Sequence, residues 1–132
     1  MKYLVDSDYV ADFLKGRSAV TDLLNTLFQD GIAISIITFA EVYEGIYYGH
    51  NRPHYTHIFQ RFLQGVSVLG ITRSIARQYA RMRGELGRKG QLIDQPDLFI
   101  AATAIEHDLL LVTRNLKDFG RLPDLKLYPL TA

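Results

Sequence analysis

The chain contains no cysteine. That excludes a disulfide framework, a cysteine-ligated zinc site and a thiol nucleophile, and it fits a reducing compartment. A long apolar run is also missing, since no stretch approaches the roughly 18 residues of a membrane span. The opening Met1-Lys2-Tyr3-Leu4-Val5-Asp6 reaches an acid too soon for a secretory leader. A soluble cytoplasmic protein with no membrane contact is therefore expected. There is no low-complexity segment, repeat or linker. Nor is there a surplus of one charge: 15 Lys and Arg against 14 Asp and Glu give a net +1. That balance argues against a strongly basic nucleic-acid coat and leaves local patches open. With 48% hydrophobic and 22% charged residues, disorder, collagen and coiled coil are excluded. One domain over residues 1–132 is expected, long enough to bury roughly two thirds of its unfolded surface without a covalent staple.

What is present is an alternation of short apolar runs and helical patterns. Tyr3–Val5 reads as a strand ending at Asp6. Val10, Phe13, Leu14, Val20, Leu23, Leu24 and Leu27 have helical spacing. The β-branched run Ile32–Ile37 predicts a buried strand. Helices are expected over Phe39–Tyr48, Tyr55–Leu63, Arg73–Arg88 and Leu98–His107. Further strands are expected at Val66–Leu69, at Leu109–Val112 and, weakly, at Lys126–Tyr128. The class is therefore α/β: three layers with a mostly parallel sheet of about five strands between helices. Such sheets bind ligands outside the carboxyl ends of their strands.

Acidic residues gather at those ends. Asp6 follows the first strand with Ser7 and Asp8 behind it. Glu41 lies a turn past the second strand. Thr113 and Asn115 follow the fourth, with Asp118 beyond, and Asp94 and Asp97 open the helix before it. Each has an ordinary structural explanation. Thr38-Phe39-Ala40-Glu41 fits a capping box. Asp94-Gln95-Pro96-Asp97 fits a capped helix start. Asp6, Asn115 and Asp118 fit loops. The joint pattern is harder to dismiss, because two carboxylates ~4 Å apart repel by about 4 kcal/mol at an effective dielectric near 20. Several acids on one sheet edge call for a cation, and oxygen ligands without cysteine suit Mg²⁺ or Mn²⁺. Ions held in this way serve metal-assisted phosphodiester cleavage. Leu4-Val5-Asp6-Ser7-Asp8 also resembles the start of a haloacid-dehalogenase-type phosphatase, with Thr38 as its hydroxyl residue. A phosphate-gripping lysine and a late acidic pair are lacking.

Four segments in order resemble a PIN domain of the VapC toxin-ribonuclease type, over essentially the whole chain. They are Tyr3-Leu4-Val5-Asp6-Ser7, Ile34 to Gly45 with Glu41, Asp94 to Ala104 with Asp97, and Leu111 to Phe119 with Asn115. The resemblance implies a metal-dependent endoribonuclease of a type II toxin–antitoxin system, acting on tRNA or other structured RNA. Asp6, Glu41 and Asp97 would be the Mg²⁺ or Mn²⁺ ligands, with Asn115 beside them in the catalytic group. It also implies 5′-phosphate and 3′-hydroxyl products, a VapB-type antitoxin partner, and a homodimeric toxin in a heteromeric complex. Asn115 stands where some members have Asp, which leaves the number of ions open. Asp94 or Asp118 could supply the missing charge, and Ser7 and Thr113 could hydrogen-bond the ligands. Asp8 stands where many members have another polar residue. A PIN-like module that binds RNA or a partner without cutting is the alternative that Asn115 favours.

Arg73–Arg88 is amphipathic. Ile75, Tyr79, Met82 and Leu86 form an apolar stripe that reads as core. Arg73, Arg77, Arg81 and Arg88 lie opposite, either as a solvated face or as an RNA phosphate track. His50, His54 and His57 have spacings that suggest zinc, but Pro53 interrupts any single helix presenting all three. The aromatic segment around them suits a contact surface or a partly buried helical hairpin.

Overall fold

The computed structural model describes residues 1–129. The last three residues of the expected 1–132 domain lie outside the described residues. In chain order the elements are β1 (Tyr3–Val5), α1 (Ser7–Leu14), α2 (Ser18–Leu27), a 3-10 turn (Phe28–Asp30), β2 (Ile32–Ser35), α3 (Ile36–Tyr48) and α4 (Arg52–Leu63). Then come β3 (Val66–Leu69), α5 (Arg73–Arg88), α6 (Gln95–Glu106), β4 (Leu110–Val112) and α7 (Leu116–Phe119). No helix among the described residues is long and apolar enough to cross a membrane.

The strands form one parallel sheet in the order β3-β2-β1-β4. Side chains alternate across it, as the two-residue period of a strand requires. Tyr3, Val5, Ile32 and Ile34 face a core shared with α1 to α4. Leu4, Ala33 and Leu111 face a second core shared with α5, α6 and the segment after it. β1 and β2 are buried along their whole length, which is why they read as continuous apolar runs. The three-layer expectation holds. The expectation of about five strands does not: among the described residues the sheet has four strands, and Lys126–Tyr128 contributes a single bridge, Leu111 to Leu127. Pro123 and Pro129 bracket that segment and leave it little room to extend a ladder.

Several boundaries differ from the sequence reading; α3, α4 and α6 each start three residues earlier than expected. The second strand ends at Ser35, because the Ser35 hydroxyl accepts from the Ile37 N–H at 3.0 Å and starts α3 at Ile36. Thr38 is therefore inside the helix and buried, so the capping-box explanation of Glu41 fails. α4 starts at Arg52 with Pro53 in its first turn.

α5 packs on α6 with its buried side as expected: Ile75, Met82 and Leu86 are in the core, and the partly buried Tyr79 stacks on Phe99 at 3.8 Å. α6 buries side chains all round, from Leu98 to Ala104. The chain leaves β1 for β2 on one side and later returns to β4 on the other. The carboxyl ends of β1 and β4 thus flank the point where the winding reverses, where open α/β sheets form a crevice.

Candidate functional site

Asp6 ends β1 and caps α1. Its side chain accepts from the Ser7 N–H at 2.8 Å, and the Ser7 hydroxyl lies 3.4 Å from the same oxygen. The other oxygen accepts from the Thr113 hydroxyl at 2.7 Å, in a buried contact between the ends of β1 and β4. Thr113 in turn accepts from the Asn115 N–H at 3.1 Å. One hydroxyl therefore ties the strand-end acid to the loop that carries Asn115.

The same loop is held to α1 at two further points. Asp8 accepts from the Arg114 N–H at 3.2 Å. The Arg114 guanidinium pairs with Asp12 at 2.5 Å and lies over the Tyr9 ring, 4.6 Å from its centroid. Sequence reasoning left Asp8 without a role and missed Asp12 and Arg114. The available signal was an acid pair one helical turn apart, matched to a lone arginine between Thr113 and Asn115.

Asp97 stands in the first turn of α6, whose N-cap position is Asp94; the Asp94 side chain makes no capping bond. Asn115 reaches toward Asp97. Its amide nitrogen donates to Asp97 at 3.4 Å and to Asp118 at 3.2 Å, and its oxygen accepts from the Asp118 N–H at 3.4 Å. Asn115 is thus a donor between two acids, with its carbonyl oxygen turned to the α7 backbone. Asp118 also pairs with Arg121 at 3.5 Å.

These acids feel one another. Burial, then the charges of Asp6, Asp94 and Asp118, push the Asp97 carboxyl up to about 6. Partial desolvation, then the charges of Asp6 and Asp97, also raise Glu41, against a lowering bond from Ser7. Burial and then Asp6 raise Asp8. Among the described residues, none of Asp6, Glu41, Asp94 and Asp97 has an ion-pair partner, since the pairs formed involve Asp12, Asp108 and Asp118. No three of the described acids or histidines are drawn close enough to enclose an ion. The donor set is all oxygen, and its mutual repulsion is what a hard divalent cation would relieve.

A cleft of about 670 Å³ opens beside the acids. Ser7, Asp8 and Glu41 line it together with Val42, Ile46 and Tyr55. Arg73, Arg77, Arg81 and Arg88 are exposed on α5. Ser74 and Glu106 share a cleft, and Tyr79 stacks on Phe99, so α5 and α6 run antiparallel. Arg77 therefore lies toward the end of α6 remote from Asp97. His50, His54 and His57 are exposed, with His50 outside α4, and they form no metal cluster.

Residues 3–125 match the family model described as PIN domain. The chain is 36% identical over 129 residues to Ribonuclease VapC1 of Methanocaldococcus jannaschii, covering 96% of this chain and 87% of that one. It is 30% identical over 128 residues to Ribonuclease VapC2 of Haemophilus influenzae, covering 92% of each. Among solved structures, VapBC2 from Rickettsia felis bound to a DNA fragment from their promoter matches with a TM-score of 0.89. The identity there is 29%, over 97% of this chain and 98% of that one.

Proposed function

The chain belongs to the PIN-domain family, among its VapC ribonucleases, and we propose that it is the toxin of a type II toxin–antitoxin pair, an RNA-cleaving hydrolase held in check by a VapB-type antitoxin. One observation carries the catalytic reading: an acidic group without ion-pair partners at the point where the sheet's winding reverses. The assembly is taken as a toxin homodimer bound by antitoxin, and the substrate as cytoplasmic tRNA or another structured RNA.

Asp6, Glu41 and Asp97 would hold the ion, Mg²⁺ or Mn²⁺. When bound, it supplies a water of lowered pKa and neutralises charge on the scissile phosphate. The chain's own residues do the rest. Thr113 and the Ser7 N–H fix the Asp6 carboxylate in one orientation. Asn115 braces Asp97 against Asp118 and adds no negative charge, so it acts as a positioning residue. The clamp of Asp8 and Asp12 on Arg114 keeps the β4 loop against α1 while substrate binds. The phosphatase reading is disfavoured at its general-acid position, because each Asp8 oxygen accepts a backbone N–H and these bonds favour the ionised carboxylate.

The test is digestion of total tRNA and ribosomal RNA by partner-free protein. Discrete fragments that need a divalent ion and disappear with added antitoxin are expected. Intact RNA under every divalent ion, from folded protein, would favour a binding module instead.

A further inference from the structure

Between Glu44 and Glu85 the sequence has no Asp or Glu, yet it carries Arg52, Arg61, Arg73, Arg77, Arg81 and Arg83. Two of these, Arg77 and Arg81, line a cleft of about 360 Å³ with Ser74 and Gln78 of α5 and Glu106 at the end of α6. Among the described residues neither guanidinium forms an ion pair, although Glu106 shares the cleft. Gln78 is only 5% exposed. Arg81 donates to its oxygen, which fixes the amide so that the nitrogen is the end left over. That nitrogen is buried and has no acceptor. Buried donors are rarely left in this state.

The cleft wall thus presents two guanidiniums without ion-pair partners and a hydroxyl against one carboxylate, with the unmatched amide N–H buried behind them. The ligand that fits is an anion rich in acceptor oxygens, and the forked guanidinium suits a phosphate above other anions. We propose that this cleft is a second RNA contact, gripping a backbone phosphate of the substrate away from the acidic centre. The proposal rests on the ribonuclease reading. Asp97 and Glu106 are nine residues apart on α6, about 13 Å along its axis. A strand lying at the acids can therefore extend to the cleft. Arg73 and Arg88, on the same stripe, do not line it. Glu106 opposes the phosphate and limits how tightly product is kept.

The experiment uses Arg77→Gln, Arg81→Gln, their combination, and Glu106→Gln in the full chain. Labelled unfractionated tRNA is the probe, read by anisotropy across salt concentrations, alongside steady-state cleavage. For the double variant we expect affinity to fall roughly tenfold, with KM rising by a similar factor. The salt slope should shrink by about 0.7 for one lost phosphate contact on a single strand. Glu106→Gln should tighten binding. Arg77→Gln and Glu106→Gln are surface changes, Arg81→Gln also removes the bond to the buried Gln78 oxygen, and melting curves check the folding of each. Unchanged affinity and salt slope overturn the proposal, and so does a defect confined to antitoxin binding. Cleavage by the parent protein reports separately on the ribonuclease reading, because anisotropy decides the cleft whether or not RNA is cut.

Discussion

Thr113 donates its hydroxyl proton to Asp6 across 2.7 Å, joining residues 107 positions apart at the ends of β1 and β4. Thr113→Val should remove this bond and leave both a buried carboxylate oxygen and the Asn115 N–H without partners. Loss of about 1–3 kcal/mol of stability is expected, with divalent-ion affinity or activity down roughly 10–100-fold. Thr113→Ser should retain both. Calorimetric ion titration and melting curves check this. A valine variant equal to the parent in both would remove Thr113 from the site.

The unpaired acids make stability depend on pH with a definite sign. Asp97 ionises near 3.8 when unfolded and near 6 when folded. Across that interval the folded state holds the proton more tightly, so this group's contribution falls as pH rises and stays unfavourable above about 6. Ion-free protein should melt higher near pH 5 than near pH 7.5, and Asp97→Asn should reduce the difference. A divalent ion should raise Tm more at the higher pH. A pH dependence of opposite sign, indifferent to Asp97→Asn, would count against the shared acidic field.

Asn115→Asp should show the same field from the other side. The change deletes the bonds Asn115 donates to Asp97 and Asp118 and adds a charge between them. A lower Tm without ions, recovered by Mn²⁺, is expected. A higher Tm without ions would mean that the acids at this corner do not repel.

The start of α3 gives a test of the fold. Ser35→Ala should cost about 1 kcal/mol as a lost helix cap. Thr38→Val should be neutral or stabilising, since its buried hydroxyl has no partner. Denaturant melts that reverse this order would restore the capping box at Thr38.

Much of this architecture was legible because burial leaves a pattern. The apolar strands, the Ile75-Met82-Leu86 stripe and the acids at strand ends follow from local periodicity and topology. What could not be read rests on choices between similar residues or on distant contacts. Ser35 and Thr38 are both hydroxyls near the same boundary, and only the backbone path decides which one caps. Gln78 sits on the polar side of the apolar stripe and is nonetheless buried against α6. The Asp8 and Asp12 clamp on Arg114 spans about a hundred residues, so the acid pair one turn apart and the lone arginine are each visible locally but their pairing is not. The expected strand at Lys126–Tyr128 failed because one bridge does not make a ladder.

The most direct measurement is the rate of RNA cleavage by partner-free protein as Mn²⁺ is titrated, for the parent chain and for Asp97→Asn. Saturable, chelator-sensitive cleavage by the parent and a loss of orders of magnitude in the folded variant are expected. Equal, ion-independent cleavage by both proteins would contradict the metal-dependent reading.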